Sequence, residues 1–390
     1  MEWRQIFIRE VREIFGRDKR RASFLFGASI AYLIIFGMLY GPHVVQNVPL
    51  VLYDENQTQL SRSLVQAFAD SERFEIIGQA SDQKELEQLL YSQTAYAAVH
   101  IPYDFSQNVA QGRASPVLLS VNGANLVITN AATTAAQEIL MTFSQEASAR
   151  LASAAGVPLG LAYNKTTPLT LAVRVMHNPT LSYLNFFVIG LAMAAFQQGI
   201  FLAVGASIIG DYTREKKLLS ARPFQVMTAK LLPYFLFGTV SFLLTLLTAF
   251  AVFDIPCKGD IGSLLLLSTA FTITAIGLSS LVASCCDSEI TFTKISLSYS
   301  VPAFTLSGYL WPVISMDAFS QVIAHTFPVF YLSDAVRDIM LAGYSPLLYQ
   351  NVGVLLAMGL TLTGLASVVY ARKRRMLQTQ RLFDKPQEVV

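Results

Sequence analysis

Six stretches of the chain run for about 20 residues without an aspartate, glutamate, lysine or arginine: Ser23–Gly41, Ser182–Gly210, Leu231–Phe253, Ile261–Ser284, Ile295–Val313 and Leu347–Ala371. A helix crossing the hydrocarbon layer of a bilayer needs a run of this kind, because no water is present there to satisfy a backbone amide. The sequence therefore predicts an α-helical membrane protein with six transmembrane helices. The composition agrees. Of all residues, 53% are hydrophobic and 14% charged, where a soluble domain carries about 25% charged residues.

Where the cations sit sets the orientation, since cytoplasmic segments of membrane proteins are rich in lysine and arginine. With the N-terminus inside, 19 of the 28 Lys and Arg residues fall in the short inner segments 1–22, 210–230, 284–294 and 371–390. Both termini are therefore expected in the cytoplasm, the second as a basic tail, 372–390, opening on Arg372-Lys373-Arg374-Arg375. In segment 1–22, Trp3, Ile6, Phe7, Val11, Ile14 and Phe15 recur at helical spacing, with Arg4, Arg9, Arg12, Glu13 and Arg17 on the other face. That pattern predicts an amphipathic helix lying in the headgroup region. The first span, 23–41, follows it.

Residues 42–181 read as an extracytoplasmic α/β (or α+β) domain between the first and second spans. Val48–Tyr53, Phe74–Ile77, Ala97–Ile101 and Val117–Val121 are short apolar runs of strand type. Between them Leu60–Ala69 and Lys84–Ser92 have helical spacing, the second behind a capping Asp82. Ala131–Ala155 is alanine-rich and predicts a long helix. The remaining 182–371 form a five-helix bundle. Its outer segment 314–346 holds Pro328, Pro346, Asp334, Arg337 and Asp338 and is too broken for a span, so short interfacial or re-entrant helices are expected there.

The chemistry is narrow. Cys257, Cys285 and Cys286 make no disulfide framework, and the four histidines are scattered singly, so no metal site is expected. The pattern G-x-x-x-x-G-K-[ST] is absent, so the chain carries no nucleotide site and no cofactor of its own. Nothing points to nucleic acid. Ion-driven transporters place ionisable groups within their spans to bind the coupling ion, and the six runs hold none. The energy for any transport is then expected from outside the bundle, through an ATPase docked on the cytoplasmic face. The segment 211–229, where Arg214, Glu215, Lys216 and Lys217 precede Leu218 and Leu219, offers a platform.

Several short motifs, in order along nearly the whole chain, resemble those of ABC-2-type exporter permeases. Asn178-Pro179 with Ser182, leading into Phe186–Leu191, resembles the start of that family's second span, and Arg214-Glu215-Lys216 its coupling region. Ser307–Pro312, Ser315-Met316, Phe327-Pro328 and Arg337-Asp338-Ile339 with Gly343 resemble its late signature. Val99–Ser106, Gly112-Arg113 and Val121–Gly123 resemble the subgroup with a large first outer loop. Two positions depart from the pattern: Lys217-Leu218 stands where Gly-Thr is usual, and Pro223 comes about a turn early.

The resemblance implies a permease subunit that pairs with a second copy or a paralogue, binds two separate ATPase subunits holding the ATP and Mg, and drives an amphiphilic substrate outward across a bacterial inner membrane. It implies contact with membrane lipid and leaves room for a periplasmic adaptor. Arg214, Glu215, Lys216 and Lys217, with Arg9, Glu10, Arg12 and Glu13 of the surface helix, are the expected ATPase-coupling residues. Phe186, Phe196, Gln197, Gln198 and Phe201 are candidates for a substrate path, and Gly308, Pro312, Pro328 and Arg337 for an outer gate. Two other readings compete: a membrane-anchored binding or assembly protein of the cell envelope, and a membrane-embedded enzyme built on Asp334, Arg337, Asp338 and His325.

Overall fold

The computed structural model describes residues 2–41, 45–111, 113–123, 126–154, 178, 182–214 and 223–383. The chain divides into two compact units, Val44–Arg174 and the combination of Met1–His43 with Val175–Val390. It opens with α1, Trp3–Arg12, continued by a wider π-type turn at Glu13–Arg17. The winding breaks at Asp18 (φ −120°, ψ 71°), and α2, Lys19–Leu39, follows in a new direction.

The α/β unit is built on β1 (Val48–Asp54), β2 (Phe74–Gln79), β3 (Ala97–Ile101) and β4 (Leu118–Val121). Helices α3 (Gln59–Ala69), α4 (Gln83–Tyr91), α5 (Phe105–Ala110) and α6 (Leu126–Ala154) alternate with or follow them. The sheet order is β2-β1-β3-β4, with the first three strands parallel and β4 antiparallel to β3. Parallel strands need crossover helices, which cover both faces and make the central strands apolar on both sides. The run Val48–Tyr53 shows this. Leu50 and Leu52 pack with Val99, Leu64, Phe68 and Ala136 on one face, while Val51 packs with Ala98 and Leu86 on the other. Asp82 caps α4 by accepting a 2.7 Å hydrogen bond from the Glu85 amide.

The helical unit continues from a wide turn at Leu184–Val188 into α7 (Ile189–Arg214), α8 (Pro223–Phe253) and α9 (Ile261–Cys285). Then come α10 (Glu289–Thr305), the short α11 (Ala318–Ala324), α12 (Pro328–Ala342) and the 36-residue α13 (Leu348–Phe383). Among the described residues, five helices are long and apolar enough to cross a membrane: α2, α7 with its leading turn, α8, α9 and α13. The chain is thus a multi-pass membrane protein, mostly helical, with a small α/β region. The sixth expected run, Ile295–Val313, does not form one helix. Helix α10 begins earlier, has 17 residues and stops at Thr305. The chain then bends at Gly308, whose φ of +83° only glycine adopts without strain.

Two helices outrun their uncharged stretches. Helix α7 continues to Arg214 and α8 already begins at Pro223, so the connection expected at 211–229 contracts to 215–222, outside the described residues. Asp211 and Lys230 at these edges are therefore helical and buried. The segment 314–346, expected on the outer side, forms α11 and α12, and α12 buries Val329, Leu332, Val336 and Ile339 against the bundle before a left-handed cap at Gly343.

Candidate functional site

Ile6, Glu10 and Ile14 are spaced four apart and lie on one face of the N-terminal helical segment, the face turned into the bundle. Burying a lone carboxylate costs far more than one hydrogen bond returns, so Glu10, only 3% exposed, must be paired. It is. Its Oε1 accepts from Arg21 Nη1 at 2.9 Å, Ser207 Oγ at 2.6 Å and Tyr234 OH at 2.8 Å, and Lys230 Nζ stands 3.4 Å from Oε2. Burial by itself would push the Glu10 carboxyl up. Lys230, Arg21 and the two hydroxyls outweigh it and hold the carboxyl below the ordinary glutamate value.

The network extends through Lys230, which is 2% exposed. Its ammonium donates to Asp211 Oδ1 at 2.5 Å and to the Ser207 carbonyl at 3.1 Å. Asp211 Oδ2 in turn accepts from Tyr370 OH at 2.7 Å. On the other side Arg21 Nε donates to Asp18 Oδ2 at 3.3 Å, and Arg20 Nε to Asp18 Oδ1 at 2.8 Å. Arg20, through that bond, holds the Asp18 carboxyl below its ordinary value despite burial. Glu10, Asp18, Arg21, Asp211 and Lys230 are all buried. They come from α1, the break after it, α2, α7 and α8, and Tyr370 adds α13. One polar knot thus ties α1 to four long helices.

Beside the knot lies a cavity of about 390 Å³ lined by Arg9, Glu10, Glu13, Arg17, Arg21, Ser207, Gly210, Asp211 and Lys230. Three expected coupling residues, Arg9, Glu10 and Glu13, therefore share one wall, whereas Arg12 is exposed to solvent and does not line it. Glu13 pairs with Arg17 at 3.1 Å. The side chain of Arg214, and Glu215, Lys216 and Lys217 entirely, lie outside the described residues.

Sequence reasoning passed over Lys230, Asp211, Arg21, Asp18, Tyr234 and Tyr370. Lys230 sits at the edge of an uncharged run, and the helix begins seven residues earlier than Lys230 itself, at Pro223. A lysine between Val226-Met227 and Leu231-Leu232 on one helix was the available signal, as was Glu10 in register with Ile6 and Ile14.

The residues expected to form a gate gather around Arg337. Its guanidinium lies 4.9 Å from the Tyr309 ring centroid and 5.4 Å from that of Phe186, and its Nη2 pairs with Asp334 at 2.8 Å. Tyr309 OH donates to the Phe186 carbonyl. Gly308 makes the turn that delivers Tyr309, Pro312 precedes a 3₁₀ turn at Val313–Ser315, and Pro328 starts α12, which carries Arg337. The expected path residues are dispersed by comparison. Phe196 is buried against Phe242 and Phe271, and Phe201 against Tyr299. Gln197 is buried in the core, and Gln198 Nε2 donates to Ser296 Oγ on α10 at 2.9 Å. Among the described residues, no group of three or more His, Cys, Asp or Glu side chains is placed to hold a metal ion.

Residues 22–368 match the family model described as ABC-2 family transporter protein. Over 334 residues, 84% of this chain and 88% of the relative, the sequence is 24% identical to the probable multidrug ABC transporter permease YbhR of Escherichia coli (strain K12). A shorter match, 25% over 143 residues (36% of this chain and 38% of the relative), is to the probable multidrug ABC transporter permease YbhS of the same organism. ABC transporter G family member 20 of Dictyostelium discoideum is 28% identical over 109 residues, 28% of this chain and 15% of that one.

Proposed function

The chain belongs to the ABC-2 transporter family, and on that premise we propose that it is the permease subunit of an ABC exporter in a bacterial inner membrane. It crosses the membrane six times with both termini in the cytoplasm, and its α/β unit is the large extracytoplasmic domain. A separate ATPase subunit supplies the energy, a second permease, identical or paralogous, completes the path, and an amphiphilic substrate moves outward.

The observation that carries this reading is the polar knot at the helix ends. An ATPase that closes on ATP can move the spans only through groups that are rigidly tied to them. Glu10 on the surface helix is bonded at once to α2, α7 and α8, so a push on α1 reaches three spans without slack. Lys373 supports the topology. Its ammonium donates to the Cys286 carbonyl at 2.5 Å and pairs with Asp287 at 2.8 Å. The start of the basic tail and the α9–α10 turn thus lie at the same end as Asp211 and Lys230. This supports a passage of the chain between Glu289 and Leu348 from that end to the opposite one, with α10 and the bend after it as the sixth crossing.

Purified in mild detergent and in nanodiscs, the chain is expected to carry a nucleotide-binding protein with it. Glu10→Gln is expected to lower the stimulated ATPase rate of that complex at least tenfold while leaving the complex assembled. A chain that is monomeric and without a partner in both media, or a Glu10→Gln complex with undiminished stimulation, sinks the reading.

A further inference from the structure

A groove of the α/β unit, about 460 Å³, lies between the α3–β2 turn and the middle of α6. Its volume falls within the range of sites for drug-sized molecules, about 300–1,000 Å³. The floor is apolar: Ala67 from α3, and Ala135, Ile139 and Phe143 from α6. Phe143 stacks on Phe105 with ring centroids 6.4 Å apart, which fixes the orientation of that floor. The 3.6-residue period places Glu138, Thr142 and Glu146 on the stripe beside Ile139 and Phe143, the two carboxylates about 12 Å apart along the axis. Glu72 faces them across the groove, with Arg73 as the one cation among the described lining residues.

This lining discriminates by charge. An organic anion meets three carboxylates, and a neutral amphiphile gains only the floor. An organic cation gains the floor and also relieves repulsion among carboxylates that one guanidinium leaves in excess. We propose that the groove binds an amphiphilic organic cation, its apolar body on Ile139 and Phe143 and its charge toward Glu138 and Glu146. Binding stands on the groove alone; its meaning as capture of an exported substrate rests on the export reading above.

Tetraphenylphosphonium and tetraphenylborate share one shape and carry opposite charges, which isolates the rim from the floor. Equilibrium binding of each is measured on the full chain in nanodiscs of zwitterionic lipid, with empty nanodiscs subtracted. Saturable tetraphenylphosphonium binding is expected, about tenfold weaker in the Glu138→Gln/Glu146→Gln variant. Phe143→Ala is expected to weaken it too. Both glutamates are exposed, so the double variant keeps its fold, which an unchanged unfolding temperature verifies. Equal tetraphenylphosphonium affinity in wild type and double variant overturns the proposal, as does a preference for tetraphenylborate. The measurement needs neither nucleotide nor partner, so it and the coupling experiment fail independently.

Discussion

Lys230 holds two carboxylates at once, Glu10 at 3.4 Å and Asp211 at 2.5 Å, and is itself only 2% exposed. Lys230→Met would leave both acids short of a counter-charge, and breaking a buried pair by removing one partner costs about 3–5 kcal/mol. A fall of that order in the unfolding free energy is expected in detergent. The Glu10→Gln/Lys230→Met double variant should recover part of it, because Tyr370 still bonds Asp211 and Glu10 no longer carries a charge. A double variant as unstable as the single one would show that the lysine acts through packing. Acidity gives a second handle. The folded-state pKa of Glu10 is depressed, so its stabilisation is fully present above the ordinary glutamate range and is lost as pH falls through the folded value. The unfolding temperature should therefore drop on acidification below that range, and Glu10→Gln should flatten the drop. Little of this site was legible beforehand. Glu10 and Glu13 were named through the family resemblance as coupling residues, whereas Lys230 was hidden by reading a span as ending where its charges begin.

At the scale of elements, α9 and α13 pack most intimately where side chains vanish. A Cβ on Gly277 would stand 2.7 Å from Thr363 Oγ1 and 2.9 Å from the Gly359 carbonyl oxygen. Thr274 Oγ1 already bonds the Leu355 carbonyl at 2.6 Å across the same seam. Small residues let membrane helices meet backbone to backbone, and overpacking such a contact costs about 1–3 kcal/mol. Gly277→Ala should accordingly lower the unfolding temperature, while Gly353→Ala, which meets nothing within 4 Å, should not. Equal effects would remove the seam from the argument. The strands of the α/β unit could be read from their apolar runs, Ala97–Ile101 to the residue, because central parallel strands advertise themselves. Helix α6 starts at Leu126, five residues before the alanine-rich stretch that signals it. Helix α10 could not be read correctly, since its end depends on a backbone turn at Gly308 and not on hydropathy.

For the whole molecule, the open question is which side of the membrane each end faces, and the native cysteines bracket it. Cys257 lies in the α8–α9 connection and is exposed, Cys285 closes α9 and is exposed, and Cys286 is buried. With the N-terminus inside, an impermeant maleimide added to intact cells should label Cys257 alone, and Cys285 should react only once the inner face is opened. Partial burial pushes the Cys257 thiol above its usual value, so its labelling should be slower than that of an ordinary exposed thiol. The sixth crossing is tested in a cysteine-free background. Met376→Cys, at an exposed position on α13 beyond the Lys373–Asp287 contact, should share the sidedness of Cys285. Ser345→Cys, just before α13, should share that of Cys257. If Ser345→Cys reacts only from the inner face and Met376→Cys from the outer, α10 and the bend after it fail to cross, the basic tail faces outward, and the knot at Lys230 loses the common end with the tail on which its coupling role depends.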